Sequence, residues 1–216
     1  MRVDYGQTGL YSQGMSTQKN ERSARARLLD AANELFYAEG IHTVGIDRVI
    51  ERAGVAKASL YGTFGSKDEL VRAYLELRAQ SRHDRIMAHI AQYSDPFSKI
   101  LGVFEHLSIR AREPSWRGCA FVNATAEGPD EDTKPRRVAL DARAWLRNLF
   151  VGLAREAHVR KPELVGRRIQ MIYDGAVIAA SMERDFDAVD DARAMAKALL
   201  DAETSASEKR PPKGKR

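Results

Sequence analysis

Residues 46–70 read IDRVIERAGVAKASLYGTFGSKDEL, two short apolar-faced helices meeting at a glycine, and no other stretch limits the fold as tightly. Ile46, Val49, Ile50 and Ala53 fall at i, i+3, i+4 and i+7, the spacing of one apolar helix face. Gly54 then supplies the backbone freedom for a sharp turn, and Val55 follows as a core plug. A second helix over residues 57–64 sets Leu60 and Phe64 inward at i, i+4. Lys57, Ala58, Ser59, Tyr61, Gly62 and Thr63 are left outward, and they are small, hydroxylated or basic. A helix lying in a DNA major groove needs slim side chains for close approach, donors for base edges and phosphates, and cations at the rim.

Two helices and a glycine describe equally well a helical hairpin that merely packs. The residues that follow favour the groove-reading helix. Gly65 ends the second helix, and Ser66 to Glu69 spells a capping box, S-x-x-E, which starts a third helix at once. Lys67 therefore falls in a first turn, where the helix dipole disfavours a cation lacking an anionic partner. A DNA phosphate outside the fold is the partner expected for it.

With those residues in view, AGVAKASLYGTFGSKDELV closely resembles the helix-turn-helix and following helix of the tetracycline-repressor (TetR) family. RLLDAANELFYAEG, residues 27–40, is similar to that family's first helix. The resemblance spans residues 22–82 and implies an all-α protein of about nine helices. An N-terminal three-helix DNA-binding domain would occupy 22–82, with its helix-turn-helix at 45–64. A C-terminal helical effector-binding and dimerisation domain would occupy 83–203. It also implies a double-stranded DNA operator as partner, a homodimer formed through the last two long helices, and an unidentified small-molecule effector. The family's groove and phosphate contacts carry over to Arg48, Lys57, Ala58, Ser59, Tyr61, Gly62, Thr63 and Lys67. Position 45, usually a capping Ser or Thr that touches phosphate, is Gly45, which leaves its backbone N–H or Thr43 for that contact. Gly62 and Thr63 replace the bulkier ring residues frequent there, so the sequence read in the groove does not transfer from relatives.

The chain of 216 residues carries a formal net charge of +5, but that charge is not where the reading helices are. Residues 1–80 carry +1, residues 81–203 are balanced, and residues 204–216, ending KRPPKGKR, carry +4. The DNA argument thus rests on the placement of Arg48, Lys57 and Lys67 and not on bulk basicity. No run of about 18 apolar residues suggests a membrane span, and the first 20 residues lack the apolar core of a signal peptide, so a cytoplasmic protein is expected. A single cysteine, Cys119, excludes an intramolecular disulfide and any multi-cysteine zinc site. The histidines at 42, 83, 89, 106 and 158 show no metal-binding spacing, and neither metal nor cofactor is expected.

Outside the reading helices, residues 1–21 lack a periodic apolar face and read as a disordered arm, within which Met15 is an alternative start. Lys19 and Arg22 stand just ahead of the first helix, where arms can touch DNA. That helix, about 21–39, turns Leu28, Ala32, Leu35 and Phe36 inward. A long helix over about 66–93 places Leu70, Tyr74, Leu77, Ile86 and Ile90 along one side and reads as a rod into a second domain. Asp95-Pro96 caps a fifth helix. A short sixth is expected over 117–127, followed by an acidic loop over 129–135. A seventh begins near Pro135, and Pro162 opens an eighth, in which MIYDGAVIAASM (171–182) is small and apolar around most of its girth. A ninth covers 188–202. Apolar outer faces on the last two, about 161–202, suggest completion by the same pair from a second copy. Residues 204–216 read as a disordered basic tail.

An effector would enter the C-terminal half. Phe97, Phe104, Trp116, Phe121, Trp145 and Tyr173, with Cys119, Asn123 and Asp174 as polar neighbours, are its candidate contacts, since a mostly apolar cavity with a few polar groups suits a small ligand. Aromatics at helical spacing are equally the material of a plain core. Two other chemistries compete. Cys119, His106 and Asp174 form a conceivable nucleophile, base and orienter, but no nucleophile elbow, phosphate loop or metal spacing accompanies them, so an enzyme is not expected. Cys119 alone is a thiol-sensor candidate, which demands a depressed thiol pKa.

Overall fold

The structure is a computed structural model that describes residues 23–128 and 131–208, with side chains as far as Thr204. The expected arm over 1–21, with Lys19 and the adjacent Arg22, and tail residues 209–216 lie outside the described residues. Those described form nine helices and no strand: α1 (Ala24–Glu39), α2 (Ile46–Ala53), α3 (Lys57–Phe64), α4 (Lys67–Ile90), α5 (Pro96–Ala111), α6 (Ala120–Glu127), α7 (Lys134–Glu156), α8 (Pro162–Met182) and α9 (Asp187–Glu208).

Local chemistry sets most of the boundaries. Ser23 accepts from the Ala26 N–H, Ser66 from Glu69, Asp95 from Ser98 and Thr133 from Arg136, four side-chain caps that each satisfy an orphan donor of the first turn. Gly54 at φ 60° and Gly65 at φ 77° make the left-handed turns that close α2 and α3. Gly118, also at φ 77°, overturns the expectation of a sixth helix from residue 117. Its left-handed backbone cannot be helical, so α6 starts at Ala120 with Cys119 as N-cap. At the other end, α9 runs on through 204–208 instead of giving way to a tail at 204. The Thr204 hydroxyl donates to the carbonyl of Leu200, and no Pro or Gly intervenes before Pro211.

Two apolar cores share α4. Leu28, Ala32, Phe36, Val49, Leu60 and Leu70 fill the first, with Val71, Tyr74 and Leu75 from the first half of α4. Ile86 and Ile90, from its second half, enter the other core with Ile100, Phe104, Leu146, Phe150 and Ile169. Leu77, expected inward, is exposed, because it falls where the buried stripe of α4 crosses from one core to the other. The first core also extends beyond residues 22–82. Ala120 and Phe121 of α6 and Ala139 and Ala142 of α7 pack into it, so the two halves are joined by burial as well as by the rod.

The tightest backbone approach in the second half is α8 on α7. A Cβ added to Gly166 would stand 2.8 Å from the Val151 backbone nitrogen and 2.9 Å from its Cα, whereas one added to Gly152 meets nothing within 4 Å. Gly166→Ala is therefore expected to lower the denaturant midpoint by the equivalent of about 1–3 kcal/mol, the usual range for overpacking. Gly152→Ala should leave it unchanged or raise it, since alanine is the better helix former. Urea unfolding followed by circular dichroism compares them.

Candidate functional site

Helix α3 lies across α1, α2 and α4, with Leu60 fully buried beneath it and Phe64 half-buried. Lys57, Ala58, Tyr61, Gly62 and Thr63 are exposed and Ser59 is half-exposed, so the outward face is the one the residue spacing requires. A Cβ at Gly62 or at Gly45 would meet no atom within 4 Å. The α3 surface is slim and open, therefore, and not braced by the rest of the chain. The Thr63 hydroxyl donates back to the Ser59 carbonyl at 2.6 Å. Gly45 is the N-cap of α2 without any side-chain cap, and Thr43 is exposed beside it.

Three of the cations near this face are paired with carboxylates within the fold. Arg48 forms a two-pronged pair with Glu39 at 2.7 and 2.9 Å, which ties α2 to the end of α1. Arg52 grips Glu34 in the same way, and the Lys57 ammonium lies 3.0 Å from Asp47. Hydrogen bonding to Glu39 raises the pKa of Arg48, and hydrogen bonding to Asp47 raises that of Lys57. Lys67 departs from expectation. Its ammonium donates to the Ile41 carbonyl at 2.6 Å and lies near the Phe36 ring, so within the fold it already has a backbone oxygen as partner. Four methylenes let the head fold back over the first turn of α4 to the α1–α2 corner.

In the second half two cavities adjoin. The first encloses about 80 Å³ among α1, α4, α5, α6 and α8, and the second about 160 Å³ among α4, α6, α7 and α8. Arg82, Cys119, Phe121, Tyr173 and Val177 form a wall common to both. Of the expected contacts, Trp116 lines the first cavity and Asp174 the second, while Cys119, Phe121 and Tyr173 serve both. Burial pushes the Tyr173 phenol up to about 12, so it stays protonated.

Four expected contacts line neither cavity. Phe104 is fully buried between Phe150 and Tyr173, with ring centroids 6.1 and 5.7 Å away, and Phe97 packs against the same core. Trp145 leans on His83, and exposed Asn123 donates to the Arg117 carbonyl. Helical spacing identified them as core-facing or polar, but it does not distinguish a filled interior from a hollow one. Asp174 is paired with Arg143. Burial raises its carboxyl pKa, and Arg143 opposes that shift.

Residue spacing passed over the guanidinium groups. Arg78, Arg82 and Arg85 of α4 and Arg110 of α5 all line the first cavity. They were detectable in principle, since 78, 82 and 85 follow i, i+4, i+7 on the long helix and 106 and 110 are one turn apart on the next. Arg78 stacks on the Tyr37 ring, its guanidinium carbon 3.6 Å from the centroid, and donates to Asn33. Arg82 lies over the Phe121 ring and donates to the Ala142 carbonyl, while its buried Nε finds no partner among the described residues. Tyr37 itself joins the halves. Its hydroxyl accepts from the Arg117 N–H at 2.9 Å and donates to the Gly118 carbonyl at 3.0 Å. A second link runs from the Glu127 carboxylate at the end of α6, which accepts from the His42 N–H beyond α1.

An all-α chain with a helix-turn-helix on one core and a second, hollowed helical half defines a helix-turn-helix transcriptional regulator. The profile of the bacterial regulatory proteins of the tetR family matches residues 28–74. SCO4454, a TetR-family regulator from Streptomyces coelicolor, superposes with a TM-score of 0.78 at 33% identity, over 84% of this chain and 96% of that one. A TetR-type regulator of Streptomyces avermitilis gives 0.76 at 31% identity, over 85% and 99%. The chain belongs to the TetR family. The transcriptional activator FasR of Mycolicibacterium smegmatis is 44% identical over 63 residues, 29% of this chain and 28% of that protein. Matches to the curated relatives reach at most 48% of their length and so carry less than the two solved structures do. No described helix is long and apolar enough to cross a membrane.

His106, beside the arginines, supplies a pH test. Burial above all, then the charges of His89, Arg85 and Arg110, lower its pKa from the ordinary 6.5 to about 4. The folded state thus favours the neutral imidazole. Its share of stability is complete above pH 6.5 and is lost as the pH falls through the window down to about 4. Urea midpoints should decline across that window, and less steeply for His106→Gln than for the parent chain.

Proposed function

We propose that this protein is a homodimeric, ligand-responsive repressor that binds a near-palindromic operator, with α3 of each protomer in a major groove. The observation that carries this reading is the outward face of α3, slim, hydroxylated and basic, on a helix anchored by one buried leucine. Ser59, Tyr61 and Thr63 would meet base edges and phosphates, with Ala58 and Gly62 permitting close approach. Arg48 and Lys57 would exchange their carboxylate partners for phosphates. Exposed ion pairs contribute only about 0–1 kcal/mol, so the exchange costs little. Gly45, Thr43 and Lys67 would contribute at the rim, Lys67 only after releasing Ile41.

Dimerisation is assigned to α8 and α9. Met171, Met182 and Met195 are 64, 77 and 59% exposed, and between them Gly175, Ala179 and Ala192 line a shallow apolar cleft. Such a surface supports burial against its own copy, and to enter successive major grooves the two α3 helices of that dimer would have to stand about 34–36 Å apart, one turn of DNA. A small molecule in the adjoining cavities would favour another spacing and lower operator affinity by its differential affinity for the two states. The alternative is switching by oxidation of Cys119, a half-buried thiol in the wall shared by both cavities. The cavity walls that Cys119 helps to form favour a bound ligand.

Lys57→Ala should weaken binding to all duplexes about equally and reduce the slope of log K against log salt by about one unit. Ser59→Ala should instead change which sequence is preferred. An unchanged slope for Lys57→Ala removes that contact. Ala179→Arg should yield a folded monomer in sedimentation, with operator affinity reduced to that of one half-site. A wild-type protein that is monomeric at micromolar concentration refutes the dimer.

A further inference from the structure

We infer that the effector of this protein is a small organic anion, a carboxylate or phosphate on an apolar body, held in the first cavity by Arg78, Arg85 and Arg110. The inference rests on the effector-pocket reading and gives it a chemical class.

Charge is the first ground. Four guanidiniums face or border one cavity of about 80 Å³, yet the only carboxylate in an ion pair with any of them among the described residues is Glu113, on Arg110. Arg78, Arg82 and Arg85 are met by an amide oxygen, a backbone carbonyl and the Ser81 hydroxyl, which are acceptors without full charge. Arg48, Arg52, Arg137 and Arg155, elsewhere on this chain, each take a carboxylate. Four guanidiniums with one carboxylate between them in a concave site leave room for a second anion. Arg85 is exposed at the edge of this lining. Desolvation first, then the charges of Arg110 and Arg78, depress its pKa, with Glu113 opposing.

The second ground is the apolar part of the lining. Ile86, Leu107, Trp116, Phe121 and Val177 line the same cavity and offer nothing polar beyond the Trp116 indole N–H, so they suit an apolar body. Across the shared wall of Phe121 and Tyr173 lies the second cavity, of about 160 Å³. There Gln170, 2% exposed, carries a buried Oε1 that accepts no hydrogen bond among the described residues.

Position supplies a route to DNA binding. Arg78 stacks on Tyr37, which holds α1 to the 117–118 corner by two hydrogen bonds. An anion drawing the Arg78 guanidinium into the cavity would take it off that ring and loosen the contact between α1 and the second half.

Calorimetric titration of the full chain with hexanoate, hexyl phosphate, hexanol and hexylamine separates head from tail. At least one of the two anions should bind tenfold or more tightly than hexanol and weaken as salt is added; hexylamine should bind least. Their ratio decides between carboxylate and phosphate, and inorganic phosphate alone shows how much the head contributes. Arg85→Met should reduce anion affinity tenfold and spare hexanol, with Arg85→Lys recovering part of the loss. Arg110→Gln provides the same comparison should Arg85→Met not fold. A bound anion should also raise the His106 pKa from about 4, read by NMR, as an alcohol would not. Hexanol binding as tightly as both anions, or no anion binding up to the solubility limit, overturns the inference. Operator anisotropy in the same solutions tests the underlying reading separately. Anions that bind without releasing DNA refute the effector role and leave the anion site. Release by hexanol as readily as by hexanoate does the reverse.

Discussion

Helix α4 belongs to two cores at once, and the rest of the structure depends on that. Its 24 residues span about 36 Å as one rigid rod. Leu70, Val71, Tyr74 and Leu75 are buried with α1 to α3, while Ile86 and Ile90 are buried with α5 and the last helices. The half-buried turns between carry Arg78 and Arg82 against the cavity, so the segment least committed to packing is the one that presents charge. A rod seated at both ends cannot shift at one end without disturbing the other.

Electrostatics divides the molecule in a similar way. Near α3, cations are held in exposed pairs with Glu34, Glu39 and Asp47, which tie α1 to α2 and α2 to α3. Around the first cavity, cations stack on Tyr37 and Phe121 or bond to carbonyl and amide oxygens, with one carboxylate among four guanidiniums. The first arrangement balances charge pair by pair, and the second leaves Arg78, Arg82 and Arg85 without a carboxylate in an ion pair among the described residues.

Much of the reading half was legible because its determinants are local. Gly54, Gly65 and the Ser66 to Glu69 box act over three or four residues, and the alternation of Leu60 with its slim neighbours needs only the helical period. The long-range contacts were not. Lys67 turning back to Ile41, Tyr37 bridging to Gly118 and Phe121 joining the first core all connect residues more than 20 positions apart. Spacing within a helix says which side chains share a face and nothing about what that face meets.

The same division runs through the second half. The sequence by itself determined helix count, approximate boundaries and the apolar outer faces of α8 and α9, because helical periodicity and capping are properties of neighbouring residues. Only the tertiary structure decided that Phe104 fills space while Phe121 borders a void, and that Arg78, Arg82, Arg85 and Arg110, from two helices, converge on one cavity. Where a cavity lies depends on how several helices pack against one another, and that packing is a property of the assembled fold with no signature in any one stretch of chain.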